Sequence, residues 1–244
     1  MNFAVLLSGG TGTRIASDIP KQYIRAGGCM MITHTLRTLL SAKQVGAVCI
    51  VAAPARQEEI RGELPEGKPV FFAAPGANRQ LSIWNGLQEI GKRRKELNGK
   101  TAAQSDGQVS AGDTVFIHDA ARPFLAQTLI DACYRALPGH DGVLPVLPMK
   151  DTIYESGDGT SVARLLDRSR LFAGQAPELF VLDPYIAANE ALLPDKILAI
   201  NGSTEPAILA GLDVVMIPGD EANFKVTTNA DLMRYLEYFG EVPS

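Results

Sequence analysis

Basic excess, cysteine, histidine and long apolar runs are all scarce in this chain, and each shortage removes a class of function. Lysine and arginine number 23 against 27 aspartates and glutamates, a formal net charge of -4. Binders of polymeric DNA or RNA carry a basic excess, so nucleic acid is not an expected partner. The three cysteines, Cys29, Cys49 and Cys133, stand far apart without CxxC spacing. They read as buried thiols of a reducing compartment rather than as disulfides or metal ligands. No apolar run approaches the ~20 residues that span a bilayer, so no membrane association is expected. Residues 1–7 have neither the basic flank nor the length of a secretion signal and look like a buried strand; the expected location is the cytoplasm. With so small a cationic complement, any anionic ligand has to be held by a few placed lysines and arginines.

What is present is an ordinary globular composition, 46% hydrophobic and 20% charged over 244 residues. That is enough to bury a core without metal or disulfide staples, and the expectation is one domain over residues 1–244. Short apolar runs at 3–7, 47–52, 70–72, 114–118, 142–147 and 214–217 read as buried strands. Between them, 32–40, 80–96, 125–137 and 184–193 carry helical spacing, the last with Asp183 as N-cap and Pro184 at the first helical position. A helix over 229–239, with Asn229 as N-cap, closes the pattern. Strand–helix alternation predicts an α/β fold, a mostly parallel sheet with helices on both faces and ligands at the carboxyl ends of its strands. Two stretches interrupt it. Residues 97–112 are polar and predict an exposed excursion. Residues 151–168 place apolar triplets at 152–154 and 161–163 around Ser156-Gly157-Asp158-Gly159, a β-hairpin signal and a candidate dimerisation arm.

Chemistry concentrates after the strands. The first ends in Ser8-Gly9-Gly10-Thr11-Gly12-Thr13-Arg14, a loop whose bare N–H groups can cradle phosphates, although a plain tight turn reads the same way. It matches neither GxGxxG nor the P-loop pattern. Arg14 and then Lys21, in Pro20-Lys21-Gln22-Tyr23, supply two cations suited to a triphosphate that gains charge during reaction. Gly76-Ala77-Asn78-Arg79-Gln80-Leu81-Ser82 follows a strand and opens a helix, where free N–H groups can meet a base or a phosphate. In Ile117-His118-Asp119-Ala120-Ala121-Arg122-Pro123, Asp119 is placed either to hold Mg²⁺ against phosphates or to serve as a cap or a partner of Arg122. His118 reads as structural, and His34 and His140 as ordinary helix or loop residues.

These segments, followed in order by Asp151-Thr152, Asp167-Arg168 and Asn223-Phe224-Lys225-Val226-Thr227, resemble the cytidylyltransferases that make CDP-methylerythritol in non-mevalonate isoprenoid synthesis. Their relatives that activate ribitol or ribulose 5-phosphate for wall or capsule polymers share most of the pattern. The resemblance covers nearly the whole chain. It implies a Rossmann-like sheet, a homodimer joined by the hairpin arm, CTP and a polyol phosphate as substrates, and Mg²⁺. Carried over, it implies that Ser8, Gly9, Gly10, Thr11, Gly12 and Thr13 bind the nucleotide, with Gly76, Arg79 and Ser82 near the cytosine. Arg14, Lys21, Arg168 and Lys225 become the catalytic cations. Asp119 supports the metal and the ribose or substrate side. Arg122, Thr152 and Thr204 bind the polyol phosphate.

Departures fall at the acceptor end. Where that family usually shows Gln-Thr-Pro-Gln-x-Phe, this chain has Gln175-Ala176-Pro177-Glu178-Leu179-Phe180, losing a hydroxyl and gaining a charge. Its Thr-Asp segment is here Thr204-Glu205, and Ala222 stands where relatives often carry an acid. A pentitol or pentulose 5-phosphate is thus an alternative acceptor, and a silent CTP-binding homologue an alternative role. An NAD-linked oxidoreductase is disfavoured, since no acidic residue stands in the expected strand-end context about 20 residues past the glycines.

Overall fold

The computed structural model describes residues 1–10, 19–101 and 112–240. In order these form β1 (Asn2–Leu7), β2 (Arg25–Ala26), β3 (Cys29–Met30), α1 (Met31–Ser41), β4 (Ala47–Val51), α2 (Pro54–Arg61), β5 (Val70–Ala73) and α3 (Arg79–Thr101). There follow β6 (Thr114–Asp119), α4 (Gln127–Ala136), β7 (Gly142–Pro148), β8 (Ile153–Glu155), β9 (Arg164–Leu166), β10 (Phe172–Gly174), β11 (Glu178–Val181), α5 (Leu182–Glu190), α6 (Glu205–Leu209), β12 (Val214–Pro218) and α7 (Asn229–Tyr238).

The main sheet has the order β10-β7-β11-β6-β1-β4-β5, with β12 also paired to β7. Pairings among β6, β1, β4 and β5, and of β12 with β7, are parallel, while β11 is antiparallel to β6 and β7, and β10 to β7. Strand alternation divides the apolar residues between two faces. Ala4 and Leu6 join Leu36 and Leu39 of α1 and Leu129 and Ile130 of α4. Phe3 and Val5 join Ile83, Leu87 and Ile90 of α3 and Leu182 and Tyr185 of α5. Each fully buried Leu, Ile, Val or Phe among them contributes about 1.5–3 kcal/mol, so helices are held firmly on both faces of the sheet. The α/β, Rossmann-like architecture is the expected one. All three cysteines are buried and none forms a disulfide among the described residues.

Several boundaries differ from expectation. Helix α3 runs five residues beyond 96, because Leu97 still packs on the apolar face it shares with Ile90; residues 102–111 of the polar stretch lie outside the described residues. Helix α5 starts at Leu182 with Val181 as N-cap, so Asp183 sits in the first turn. In α7 the cap is Thr228, which forms a capping box with Asp231, so Asn229 is already helical. The hairpin is wider than its glycines suggest. Asp158 accepts from the N–H groups of Thr160 and Ser161 (2.8 and 2.7 Å), and this turn moves the return strand from 161–163 to Arg164–Leu166. Strands β10 and β11, which run against the parallel strands, and α2 were not expected at all.

Candidate active site

Parallel register places Leu7, Val51, Ala73 and Asp119 in one row at the carboxyl edge of the sheet. The loops that follow Leu7, Ala73 and Asp119 surround a cleft of ≈ 480 Å³, within the usual range of ligand sites. Ser8, Gly9, Gly10, Lys21, Gly76, Arg79, Ser82, Asp119 and Lys225 all line it. Thr11, Gly12, Thr13 and Arg14 lie outside the described residues.

Local packing explains why these residue types occur here. A β-carbon on Gly9 would lie 2.5 Å from Cβ of Pro75, and one on Gly76 would lie 2.4 Å from Cβ of Leu81. The glycines therefore let two walls of the cleft close upon their neighbours. Gln22 donates to the carbonyls of Ser8 and Gly10 (2.8 and 2.7 Å), and the Tyr23 hydroxyl donates to Ser8 O at 3.0 Å. The residues following Lys21 thus hold the glycine loop beside it. Ser82 Oγ accepts the Gly76 N–H at 3.0 Å and donates to Asn78 O at 2.9 Å. The Gly76 N–H expected near the base is consequently already engaged. Asn78 Oδ1 accepts from Leu81 N at 2.8 Å, and its amide donates to Ile197 O and Leu198 O, fixing the start of α3 where Arg79 projects. Lys225 is brought in by the segment before α7, where Val226 N donates to Ala121 O at 2.8 Å.

Asp119 is the electrostatic centre of the cleft. Its Oδ1 accepts from Arg79 Nε and Nη2 (3.3 and 3.2 Å) and its Oδ2 from Lys225 Nζ (2.9 Å), with Arg122 Nε 3.9 Å away. Burial would raise its pKa, but the Arg79 and Lys225 charges override this and hold it well below the usual carboxylate range. The reading of Asp119 as a partner of Arg122 is met by their ion pair, while its links to Arg79 and Lys225 were not foreseen from the sequence. The described lining contains no second carboxylate, and no group of three metal-type side chains occurs among the described residues. Among the described residues, the donor set is one carboxylate already engaged by two cations, which by itself does not fit a protein-held Mg²⁺.

His118 is fully buried, with Nε2 3.1 Å from Arg122 O, and burial pushes its pKa down to about 4. It is a neutral structural ring, as the sequence suggested. Arg122 and Thr204 do not line the cleft. Arg122 turns inward, donating to Asn223 O at 2.8 Å, and Thr204 is buried at the start of α6. Thr152 and Arg168 are exposed on the arm, where Arg168 Nη1 donates to Lys150 O at 2.6 Å; neither lines the cleft. Glu178 does not present its charge to the cleft, since it is buried against Ser203 and Arg79. Sequence reasoning missed Gln22, Asn78 and Ser203, although an asparagine directly before an apolar helical pattern is a cap signal.

A family model described as 2-C-methyl-D-erythritol 4-phosphate cytidylyltransferase matches residues 3–239. The chain is 36% identical over 239 residues to a bifunctional enzyme IspD/IspF of Maricaulis maris, covering 95% of this chain and 55% of that protein. It is 34% identical over 235 residues to the 2-C-methyl-D-erythritol 4-phosphate cytidylyltransferase of Nitrosomonas eutropha, covering 94% and 92%. The chain thus spans about half the length of the bifunctional relatives it matches. Among solved structures, the 4-diphosphocytidyl-2C-methyl-D-erythritol synthase of Anaerococcus prevotii superposes with a TM-score of 0.75 at 21% identity, over 97% of both chains, a likeness of fold. The family match across residues 3–239 and these identities establish that the chain belongs to the 2-C-methyl-D-erythritol 4-phosphate cytidylyltransferase family.

Proposed function

We propose that this chain transfers the cytidylyl group of CTP to 2-C-methyl-D-erythritol 4-phosphate, giving CDP-methylerythritol and pyrophosphate. The observation that carries the reading is the meeting of Lys21, Arg79 and Lys225 with the Ser8–Gly10 loop in one cleft at the carboxyl edge of the sheet. An acceptor phosphate oxygen attacks the α-phosphorus of CTP. The new P–O bond forms as the α–β anhydride bond breaks, and its electron pair leaves on pyrophosphate. The nucleophile is already an anion, so no side chain has to remove a proton. The barrier is the approach of two anions and the charge on the pentacoordinate phosphorus, which placed cations lower. By analogy with single oxyanion donors, each of Lys21 and Lys225 supplies roughly 3–4 kcal/mol. Arg14, and Arg168 delivered from the arm of a second copy, complete this set in the proposal.

In this reading magnesium travels with the phosphates of the nucleotide, where it neutralises charge, and Asp119 serves instead to orient Arg79 and Lys225. The arm joins two copies of the chain and carries Thr152 and Arg168 to the cleft of the second copy. Its exposed Tyr154, Val162 and Leu165 support that role, being large apolar side chains on a small protruding hairpin.

Pyrophosphate release with CTP and Mg²⁺ tests the proposal, comparing methylerythritol 4-phosphate, ribitol 5-phosphate and ribulose 5-phosphate. Release with methylerythritol phosphate alone is the expected result. Release only with a five-carbon phosphate would assign a different acceptor; Ala176 itself is buried, with its carbonyl accepting from Asn223 Nδ2, and does not line the cleft. CTP binding without release from any acceptor would make the chain a silent homologue.

A further inference from the structure

We propose that Glu178 and Ser203 are positioning residues for Arg79, holding its guanidinium on the cleft wall in a single orientation. The inference rests on the cytidylyl-transfer reading for its effect on CTP, but the hold on Arg79 can be measured without CTP.

Arg79 is grasped from two sides. Asp119 accepts from Nε and Nη2, while Nη1 donates to Ser203 Oγ at 2.7 Å. The same Ser203 hydroxyl donates to Glu178 Oε2, which lies 3.9 Å from Arg79 Nη2. A hydroxyl that receives from a guanidinium has one proton left to give, and Glu178 takes it. The direction of the relay is thereby fixed. Ser203 is itself pinned from α5, since the Tyr185 hydroxyl donates to Ser203 O at 2.7 Å.

The position of Glu178 follows from the reversal of β11 between β6 and β7. Strand β11 runs antiparallel to β6 with Glu178 opposite Ile117, so its first residue arrives at the edge where the parallel strands finish. There it is buried beside Asp119, Arg79 and the inward-turned Arg122, and burial raises its carboxyl pKa. A buried carboxylate is costly without partners, and these partners are the ones that fix Arg79. A glutamine would accept the same Ser203 proton. The geometry therefore separates the bridge from the charge.

The test combines calorimetric CTP binding with the Arg79 Nε–H resonance of the ligand-free protein, for Ser203→Ala, Glu178→Ala and Glu178→Gln. Ser203→Ala and Glu178→Ala are expected to weaken CTP binding about tenfold, the scale of one charge-assisted hydrogen bond, and to broaden the resonance. Glu178→Gln is expected to stay within about twofold of the parent, a rescue by the residue that keeps the acceptor. Ser203→Ala retains a small side chain and decides the matter if Glu178→Ala fails to fold. A sharp resonance and unchanged CTP affinity in Ser203→Ala would overturn the proposal. So would a Glu178→Gln protein altered only in its KM for the acceptor. Absence of CTP binding in the parent protein would refute the nucleotide reading, while the resonance would still decide whether Ser203 and Glu178 position Arg79.

Discussion

The cleft and the arm are built on opposite principles. In the cleft, Lys225, Arg79 and Asp119 form a tight ion cluster, and Gln22, Tyr23, Asn78 and Ser82 tie down the loops around it. On the arm, Thr152 and Arg168 are exposed, and the short β8–β9 ladder and its polar turn are held mainly by contacts within the arm itself. A group that stabilises charge during reaction has to be pre-oriented, because reorienting it would cost the energy it is meant to supply. A group that selects an acceptor can be delivered by a separate segment. The departures noted in the sequence do not follow this division, since Ala176 is buried just before β11 and Ala222 lies in the segment after β12, both off the arm.

Two substitutions and one deletion would break or sharpen this contrast. The largest effect is expected from Lys225→Ala. Turnover should fall about 10²–10³-fold with every acceptor, the scale of one lost oxyanion donor. Pyrophosphate release near the parent rate in a folded variant would remove Lys225 from the mechanism.

His118→Gln probes the rigidity of the cleft through its pH dependence. His118 is kept neutral in the fold, with its pKa lowered to about 4 from the ordinary 6.5. Its contribution to stability is present above about pH 6.5 and lost as pH falls from there towards 4, a total of roughly 3 kcal/mol. Asp119, with its lowered pKa, adds a further loss at still lower pH. Denaturant unfolding from pH 7 to 4 should therefore show a shallower acid decline in His118→Gln. The same slope in both proteins would show that the ring does not carry this acid sensitivity.

The smallest effect is expected from deleting Ser156–Gly159 at the tip of the arm. Sedimentation should show self-association weakened about tenfold, comparable to losing part of one buried apolar side chain, with the monomer fold intact. An unchanged dimer would separate the arm from assembly.

Much of the fold was legible because strands buried on both faces announce themselves as unbroken apolar runs. Residues 3–7, 47–52 and 114–118 were found within one residue of their true ends. Strand β11 was missed because it begins with Glu178 directly after Pro177, and neither residue reads as the start of a sheet-interior strand until its partners are known. Helix α2 was missed because only Ile60 is buried along it, leaving no apolar stripe to detect. In the cleft, residue types and order pointed to the lysines and glycines. What they could not give was the link from Arg79 through Asp119 to Lys225, which joins residues 40 and 106 positions apart. Ser203 escaped notice for the same reason, since its partners Arg79 and Glu178 are distant in the chain.

The base of the arm has a consequence of its own. Phe172 pairs with Pro148, and Met149 N donates to Leu171 O at 3.2 Å, so the chain leaves the sheet and re-enters it between two adjacent strands. Lengthening such a segment adds only about 0.6 kcal/mol of closure entropy per doubling, and its own contacts need not disturb the sheet. The arm is thus tethered at its base, where β7 and β10 lie side by side, and changes in its length load the turn it makes rather than the sheet it leaves.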